Sequence, residues 1–431
     1  MHRFDEDWRA LADPALRTEP LDALKHFPLG PGPSGLIVGG ELRARYELYD
    51  RLGLGFDGRP RDDYFLGRAL LHVDLQLNDS VRAFGQVGAY GGWGERVPLA
   101  PAQDNDADLA QAFVDLSSPI AGGRFTLRAG RQELSFGSLR MVGIREGPNT
   151  RASFDGVRAF WTEPNGLRVD AFYTRPVIPR FDAFNDRSTG ANQLWGAYAT
   201  WPIAALPGLG LDAYYLGHER SDVRLAQGIA DETRHSVGAR AFGHRGPWDW
   251  DLEAAYQFGS FGRADIRSWT LANEVGYTFG DLPWRPRLGL RADIASGDGD
   301  LSDGRVGTFV VPFPKLPYTS EAAWFAPSNI MGLHPTLTLE PQPGLRVGFD
   351  YAALWRHREA DAFYLSPGVA VPGTAGTGRF IGNQVQVNVS WAATPTLSVQ
   401  AAYARLFASD SLERAGGRSS DFLVLNTSWK F

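Results

Sequence analysis

The sequence predicts an all-β chain that closes into a transmembrane, antiparallel, up-and-down β-barrel of 18 strands. Three observations predict this fold. Apolar and polar residues alternate with a period of two, short and long connections alternate between these segments, and the last segment ends in a phenylalanine. A period of two is what a strand imposes, because successive side chains point to opposite faces of the sheet.

The alternation begins near residue 35 and recurs along the chain. In residues 41–48 the polar positions Glu41, Arg43, Arg45 and Glu47 alternate with apolar ones, so the segment has one polar and one apolar face. Turn-forming residues bound each such segment, as expected for strands joined in sequence. The 18 candidate strands lie near residues 36–49, 63–77, 81–91, 108–117, 124–133, 153–163, 166–176, 192–202, 208–219, 233–244, 247–259, 264–280, 285–296, 329–341, 344–357, 378–392, 396–408 and 420–431.

The lengths of the connections select a barrel over a β-sandwich or a propeller. Every second connection is short, and most of the others are long, including residues 92–107, 134–152, 177–191, 297–328 and 358–377. Outer-membrane barrels have an even number of strands, short periplasmic turns and long extracellular loops. A sandwich has no reason to sort its loops in this way.

The C-terminal segment carries a second sign of an outer-membrane barrel. Leu423, Leu425, Thr427 and Trp429 alternate with polar residues, and the segment finishes on Phe431. This pattern resembles the C-terminal signal that the barrel assembly machinery reads, so we expect that machinery as a partner. Outer-membrane lipid and lipopolysaccharide are the other partners expected of such a chain.

The composition excludes several other classes. No run of 18 apolar residues is present, so the sequence predicts no transmembrane helix. The first residues lack an apolar segment, and we therefore expect a signal peptide to have been removed if the protein is exported. The chain has no cysteine, and its net charge of −6 gives no argument for nucleic-acid binding.

The basic residues are almost all arginine. Only Lys25, Lys315 and Lys430 are lysines among the 43 basic residues. A GC-rich genome explains such a bias, and so does a surface built for planar, bidentate contact with carboxylates or phosphates. The composition leaves both explanations open.

Several short motifs, in a specific order, resemble the alginate export family of outer-membrane porins. The resemblance covers nearly the whole chain. It is carried by residues 3–8, 24–29 and 39–47, by Gly130-Arg131-Gln132-Glu133-Leu134, by residues 151–156, by Ser296-Gly297-Asp298-Gly299-Asp300 with Pro312-Phe313-Pro314, and by Asn329 and the pair Trp355-Arg356. The resemblance implies an 18-stranded monomeric barrel and, as in the best-known member, outward passage of the anionic polysaccharide alginate through an arginine-rich constriction.

Strand phase and the family motifs select the arginines expected to line the pore. A pore for a polyuronate needs several moderate sites of positive charge rather than one tight site. Nine arginines fall on the inward phase, three lie in or beside the Gly-Arg-Gln motif and its loop, and two lie near the outer mouth. They are Arg43, Arg45, Arg68, Arg82, Arg128, Arg158, Arg168, Arg240 and Arg291; Arg131, Arg145 and Arg151; and Arg356 and Arg358.

Inward arginines also have a purely structural interpretation. Inward carboxylates are available to pair with them, and ladders of ion pairs brace large barrels without selecting anions. These carboxylates are Asp74, Asp115, Glu133, Asp155, Asp170, Asp293 and Asp350. The sequence leaves open whether a given arginine braces the wall or faces the permeant.

Metal binding and catalysis are the weaker interpretations. Asp298, Asp300 and Asp303 form an acidic, glycine-rich loop that offers oxygen ligands for Ca²⁺, but the spacing does not match an EF-hand and a solvated loop explains it better. An outer-membrane barrel hydrolase or acyltransferase would need a Ser/His/acid set, and the chain contains no Gly-x-Ser-x-Gly motif. We therefore expect no cofactor and no enzyme activity.

Two regions are expected. Residues 1–34 form an N-terminal periplasmic segment, either a partial plug or a loose tail, and residues 35–431 form the barrel.

The leading functional hypothesis is a diffusion channel that passes an alginate-like polyuronate or smaller acidic and polar solutes. The alternative is a general or substrate-selective uptake porin unrelated to polysaccharide export.

Overall fold

The fold was analysed in a computed structural model that describes residues 2–30, 32, 34–56, 58–59, 61–315 and 319–431. Within these ranges eighteen long strands form one antiparallel sheet. They are β1 Gly35–Tyr49, β2 Asp62–Gln76, β3 Val81–Trp93, β4 Asn105–Ile120, β5 Gly123–Gln132, β6 Phe154–Thr162, β7 Arg168–Ile178, β8 Asn192–Pro202, β9 Leu209–Leu225, β10 Gly228–Arg245, β11 Trp248–Phe261, β12 Ala264–Thr278, β13 Arg287–Ala295, β14 Ile330–Gln342, β15 Leu345–Trp355, β16 Phe380–Ala392, β17 Leu397–Ala408 and β18 Ser420–Lys430.

The sheet closes on itself, which confirms the predicted 18-stranded barrel. Each strand pairs with the next in sequence, and β1 pairs with β18 from Glu41–Lys430 to Tyr49–Phe422. Gly40 and Phe431 extend this seam by exchanging N–H···O bonds of 3.0 and 3.1 Å. Among the described residues, no helix is long and apolar enough to cross a membrane.

The two faces of the wall have opposite chemistry. On β2, the outward Phe65 is 57% exposed, whereas the inward Arg68 is 2% exposed. An arginine on the lipid side of a barrel costs roughly 2–4 kcal/mol at the bilayer midplane, so the sequence phase determines which face meets lipid. The short turns lie at the periplasmic end, where the N-terminal segment joins β1, and the longer loops lie at the extracellular end.

Two extracellular connections are shorter than the sequence predicts. Strands β9 and β10 are joined by residues 226–227, and β11 and β12 by residues 262–263. The alternation of polar and apolar residues predicts that β9 ends near residue 219 and β10 begins near residue 233, because the residues between these positions are largely polar. Their extensions are stabilised by an apolar cluster above the barrel wall that joins Val223, Leu225 and Phe261 to Val306 and Tyr364 in the extracellular loops.

The remaining elements are short. They are the 3₁₀ turns Arg3–Asp5, Arg9–Ala12, Pro14–Leu16 and Leu52–Gly55, the helices Asp22–Lys25 and Asp410–Arg414, and the strands Phe27–Pro28, Arg187–Ser188, Arg305–Val306, Tyr364–Ser366 and Val369–Ala370.

Candidate functional site: the lumen and its folded-in loops

One extracellular loop, residues 133–153, crosses the bore of the barrel. At one end Arg43 on β1 donates to the main-chain oxygen of Glu146 at 2.8 Å, and Asn149 accepts from Arg68 on β2 at 3.3 Å. Nearer the other end, Arg140 donates to Asp251 of β11 at 2.9 Å. Strands β2 and β11 are nine apart in a barrel of eighteen and therefore lie on opposite walls. We call this segment the crossing loop.

Aromatic stacking holds the crossing loop against the wall of β7–β9. The Phe136 ring stacks on Phe172 and on Tyr198, each with centroids 5.1 Å apart, and Tyr198 stacks on Tyr214 at 5.3 Å. The Tyr198 hydroxyl donates to Asp212 at 2.7 Å. Burying each large apolar side chain contributes about 1.5–3 kcal/mol, so the loop is a packed part of the barrel.

A second loop, residues 296–329, also enters the lumen and joins the crossing loop. The Gly143 N–H donates to the Phe313 carbonyl at 2.8 Å, and the Phe313 N–H donates to Met141 at 3.0 Å. The Lys315 N–H donates to the Leu139 carbonyl at 2.8 Å. The two loops therefore brace each other inside the barrel.

A charge cluster fixes the β1–β2 end of the crossing loop, with Arg68 and Glu41 buried and Glu146 exposed. The Arg68 side chain is fully buried and pairs with Glu41 at 3.1 Å through Nε and with Glu146. Arg151 binds Glu146 at 2.5 Å and Glu41 at 3.1 Å. Desolvation acts to raise the pKa of Glu146, but the positive charges of Arg151 and Arg68 outweigh it and leave that pKa below its ordinary value.

The wall from β2 to β7 carries a row of arginines and carboxylates, which we call the periplasmic ladder. Arg82 donates to Asp74 at 2.7 Å, Arg128 donates to Asp115 at 2.7 Å, and Arg158 donates to Asp170 at 2.8 Å. Like charges directly opposite each other destabilise a sheet. Arg128 and Arg158 are direct register partners, so the acids on the flanking strands offset their repulsion.

Three arginines of this wall, Arg128, Arg158 and Arg168, surround the aromatic ring of Phe160. The guanidinium carbons of Arg128, Arg158 and Arg168 lie 5.8, 5.3 and 4.5 Å from the centre of Phe160. Arg128 is 3% exposed, and its Nη1 has no hydrogen-bond partner in the described part of the chain. We call these four residues the Phe160 cluster.

The Phe160 cluster lines a cavity of about 500 Å³ at the periplasmic side of the lumen. Six arginines and six carboxylates line this cavity in total, but they are not evenly mixed. The three cluster arginines lie on β5–β7, and three of the carboxylates belong to residues 5–7 of the N-terminal segment. The β5–β7 side of the cavity is therefore rich in arginine, although each of these three arginines also contacts a carboxylate of the wall.

The N-terminal segment lies inside this mouth of the barrel. Phe4 packs against Phe113 with centroids 5.3 Å apart and against the Arg128 guanidinium at 4.2 Å. His2 contacts Glu133 at 2.9 Å, and Arg3 donates to the main-chain oxygen of Phe431 at 2.6 Å. The segment is thus attached to the inner wall at three successive residues.

Most of the other predicted arginines also pair with carboxylates. Arg45 pairs with Glu47, Arg131 binds Asp155 at 2.8 Å, Arg240 lies between Asp212 at 2.9 Å and Asp251 at 2.8 Å, and Arg291 lies 3.3 Å from Asp293. Arg145 differs, because within the described ranges it forms no side-chain hydrogen bond or ion pair. It also holds a left-handed backbone φ of 57°.

The two arginines expected at the outer mouth behave differently from each other. Arg356 is fully buried and donates to the carbonyls of Gly378, Asp361 and Thr374 at 2.7, 2.9 and 2.8 Å, so it holds loop 356–379 together and is covered from the lumen. This corrects its assignment as a pore-lining residue. Arg358 is exposed on the same extracellular loop.

The acidic loop is a set of turns rather than a cation site. Asp298 accepts the N–H groups of Asp300 at 2.9 Å and Gly307 at 3.0 Å, and Asp300 and Asp303 accept the N–H groups of Ser302 and Arg305. In the described part of the chain, no three acidic or histidine side chains are grouped to hold a metal ion. The structure thus gives Asp298, Asp300 and Asp303 a turn-forming role, and Ca²⁺ binding at these residues stays a prediction.

Sequence reasoning missed several inward cations. Arg287 lies on the same face of its strand as Arg291, and Arg234 lies on the same face as Arg240. The alternation along each strand could therefore have predicted that Arg287 and Arg234 point inward. Arg287 binds Asp249 at 2.8 Å and Arg234 binds Glu232 at 2.8 Å. Arg140 and Lys315 lie in loops, where no strand phase applies.

Comparison with solved structures finds outer-membrane barrels of the same architecture. The crystal structure of Pseudomonas aeruginosa OccK8 (OprE) is 14% identical with a TM-score of 0.60, covering 92% of this chain and 98% of that one. Acinetobacter baumannii OccAB3 is 11% identical with a TM-score of 0.62, covering 92% and 99%. Pseudomonas aeruginosa OccD3 (OpdP) is 12% identical with a TM-score of 0.61, covering 95% and 93%. At these identities the likeness shows the fold alone.

Comparison at the level of sequence supplies the family. No curated protein matched the chain. The alginate export family matches residues 34–426, which span β1–β17 entirely and the first part of β18. The family and the fold together identify an outer-membrane channel, not an enzyme. The chain belongs to the alginate export family.

Proposed function

We propose that this channel passes an anionic carbohydrate polymer, an alginate-like polyuronate, or smaller acidic and polar solutes through its arginine-rich lumen. The observation that carries the proposal is the Phe160 cluster. It places three guanidinium groups around one ring beside a cavity of about 500 Å³ at the periplasmic mouth. A polymer that leaves the periplasm meets this cavity first.

The chemistry of the Phe160 cluster suits a uronate. Arginine presents a planar fork that matches a carboxylate, and the ring of Phe160 offers an apolar surface beside it. Each guanidinium already shares a carboxylate of the wall, as Arg158 and Arg168 share Asp170. A passing anion therefore meets partly neutralised charge and is attracted without being trapped, as conduction requires.

The N-terminal segment acts in this proposal as a partial plug of the periplasmic mouth. Its support is the attachment of residues 2–4 to the inner wall, together with the place of residues 4–7 in the lining of the cavity. A loose tail would not need the buried Phe4, which is 4% exposed.

Channel recordings with a soluble oligouronate test the proposal. We expect the oligouronate to block the current of the purified channel in a planar bilayer. Arg168→Gln is the informative variant, because Arg168 is the most exposed arginine of the Phe160 cluster. We expect this variant to weaken the block several-fold.

The matched control is Arg267→Gln. Arg267 is 57% exposed on β12 and shares the outward face with Leu271, so its removal changes the charge of the protein but not of the lumen. The block should stay as in the unmodified channel. Cation preference without any block by oligouronate would overturn the polyuronate proposal and favour the uptake porin.

A further inference from the structure

Two cations close in sequence to the junction of the folded-in loops, Arg145 and Lys315, lack within the described ranges the carboxylate partners that the wall arginines have. Arg145 is half-buried, and its Nε is enclosed without a partner in the described part of the chain. Lys315 is exposed, and no acceptor for its Nζ lies within bonding distance among the described residues. Of the two, Lys315 is the one whose charged group remains open to water in the lumen.

The main chain of Lys315 is held in place, whereas its side chain is free. The Lys315 N–H donates to the Leu139 carbonyl at 2.8 Å, at the point where the two loops meet. The crossing loop is in turn attached to both walls through Arg43 and Arg140. The stem of Lys315 therefore starts from a fixed position within the bore, and the ammonium group ends a flexible four-carbon chain.

Charged groups on the crossing loop and on three neighbouring strands act on the ammonium group of Lys315. It is repelled by Arg140 of the crossing loop and by Arg291 of β13, and it is attracted by Glu274 of β12 and Asp251 of β11. Although the Lys315 side chain is exposed, the protein around its amine displaces part of the bulk water, and this desolvation is the main cause that lowers the pKa of Lys315. The two arginines lower that pKa further. The strand charges that act on it therefore belong to the wall of β11–β13.

The paired arginines and the free lysine differ in what they offer an anion. A guanidinium in contact with a carboxylate has its charge largely neutralised, and the pair is held rigid by its hydrogen bonds. An unpaired ammonium group adds a net charge and has three donors that can turn toward a ligand. In a low-dielectric bore, one such charge acts over a longer distance than it does in bulk water.

We propose that Lys315 is a specificity-determining residue of the channel, whose amine contacts the carboxylates of the permeant where the two loops meet. This inference rests on the proposed function for the nature of the permeant. It adds a loop lysine to the Phe160 cluster as a determinant of selectivity, while the other paired wall arginines mainly brace the barrel.

The absence of cysteine from the chain allows a direct test at this one side chain. Lys315→Cys places a single thiol in the lumen. The measurement is the reversal potential of the channel in a KCl gradient, before and after reaction with a cationic or an anionic methanethiosulfonate. We expect Lys315→Cys to reduce the ratio of anion to cation permeability several-fold, the cationic reagent to restore it, and the anionic reagent to reduce it further.

A pH series separates the lysine from the arginines. Because the pKa of Lys315 is lowered, its charge disappears as the pH rises through that value, while the arginines stay protonated. We expect the anion preference of the unmodified channel to fall as the solution becomes alkaline. Lys315→Arg should keep the preference but lose its dependence on pH, and Arg267→Gln should behave as the unmodified channel.

The outcomes distinguish this inference from the proposed function. If the channel prefers anions and Lys315→Cys leaves the reversal potential unchanged with either reagent, the inference about Lys315 is overturned and the proposed function stands. If the channel prefers cations and the oligouronate does not block it, the polyuronate proposal fails. A shift caused by the charged reagents would then still place Lys315 at the permeation path.

Discussion

The inner wall of the barrel has two regions of different chemistry. From β1 to β13 it carries ion pairs that link neighbouring strands, such as Arg68–Glu41 and Arg128–Asp115. From β16 to β18 the inner face carries neutral polar side chains: Gln384, Gln386, Asn388, Gln400, Asn426 and Ser428. The Asn426 amide donates to Gln400 at 3.2 Å, so hydrogen bonds replace ion pairs there.

The comparison shows that positive charge in the lumen has two separate tasks. Where folded-in segments press against the wall, arginines are buried with their carboxylates, as at Arg68 beside the crossing loop. Where the wall is neutral, Gln400 remains exposed and Gln386 and Asn388 are half-buried. The carbonyl oxygens of Gln386 and Gln400 accept from Glu321 and Asn426, which leaves their NH₂ groups to meet hydroxyl groups of a solute. Counting arginines alone therefore overstates the charge that a permeant meets.

The largest expected loss of stability comes from removing one member of a buried ion pair in the charged region. Arg68→Ala leaves Glu41 buried without its closest partner, and such a change costs about 3–5 kcal/mol. We expect a loss of this size in the free energy of unfolding of the barrel, measured by denaturant titration in detergent. The matched change in the neutral region, Asn426→Ala, removes one hydrogen bond to Gln400 and should cost only about 1 kcal/mol. Equal losses for the two variants would contradict the distinction between the regions.

The second prediction concerns the seat of the N-terminal segment in the charged region. Phe4→Ala removes a ring that is 4% exposed and packs on Phe113 and Arg128. Truncation of a buried phenylalanine costs about 3–5 kcal/mol, which is enough to release a short segment. We expect a higher single-channel conductance and faster proteolysis within residues 2–30, with the barrel intact. Unchanged conductance together with faster proteolysis would show that the segment is seated but does not plug the pore.

The third prediction uses acid to weaken the β1–β2 end of the crossing loop. The charges of Arg151 and Arg68 keep the pKa of Glu146 below its ordinary value. A depressed pKa stabilises the folded loop at pH values above the unfolded pKa of about 4.3, and this stability is lost as the pH falls through the folded value. We expect conductance to become noisier below about pH 4 as the loop loosens. Glu146→Gln should show the same noise at neutral pH and little change on acidification, whereas pH-independent noise in the unmodified channel would exclude this role.

The barrel was predictable from the sequence because its determinants are local. Alternation with a period of two and the length of each connection select the strands, and the same parity points Arg68 and Arg128 inward. The folded-in loops were not predictable, because Arg140 and Lys315 have no strand phase and their positions depend on contacts with strands more than a hundred residues away in sequence, such as Arg140 with Asp251. Strand phase also cannot tell a free arginine from a paired one, and it does not apply to Arg356, which follows the end of β15 and is buried by its own loop.

The most direct test of the central claim is the reversal potential of the unmodified channel at neutral pH in a KCl gradient. The claim is that the lumen presents net positive charge to a permeant although most of its arginines are paired. It predicts a reversal potential of the sign for anion preference, which moves toward zero when a soluble oligouronate occupies the pore. A reversal potential of the sign for cation preference, unaffected by oligouronate, would contradict it.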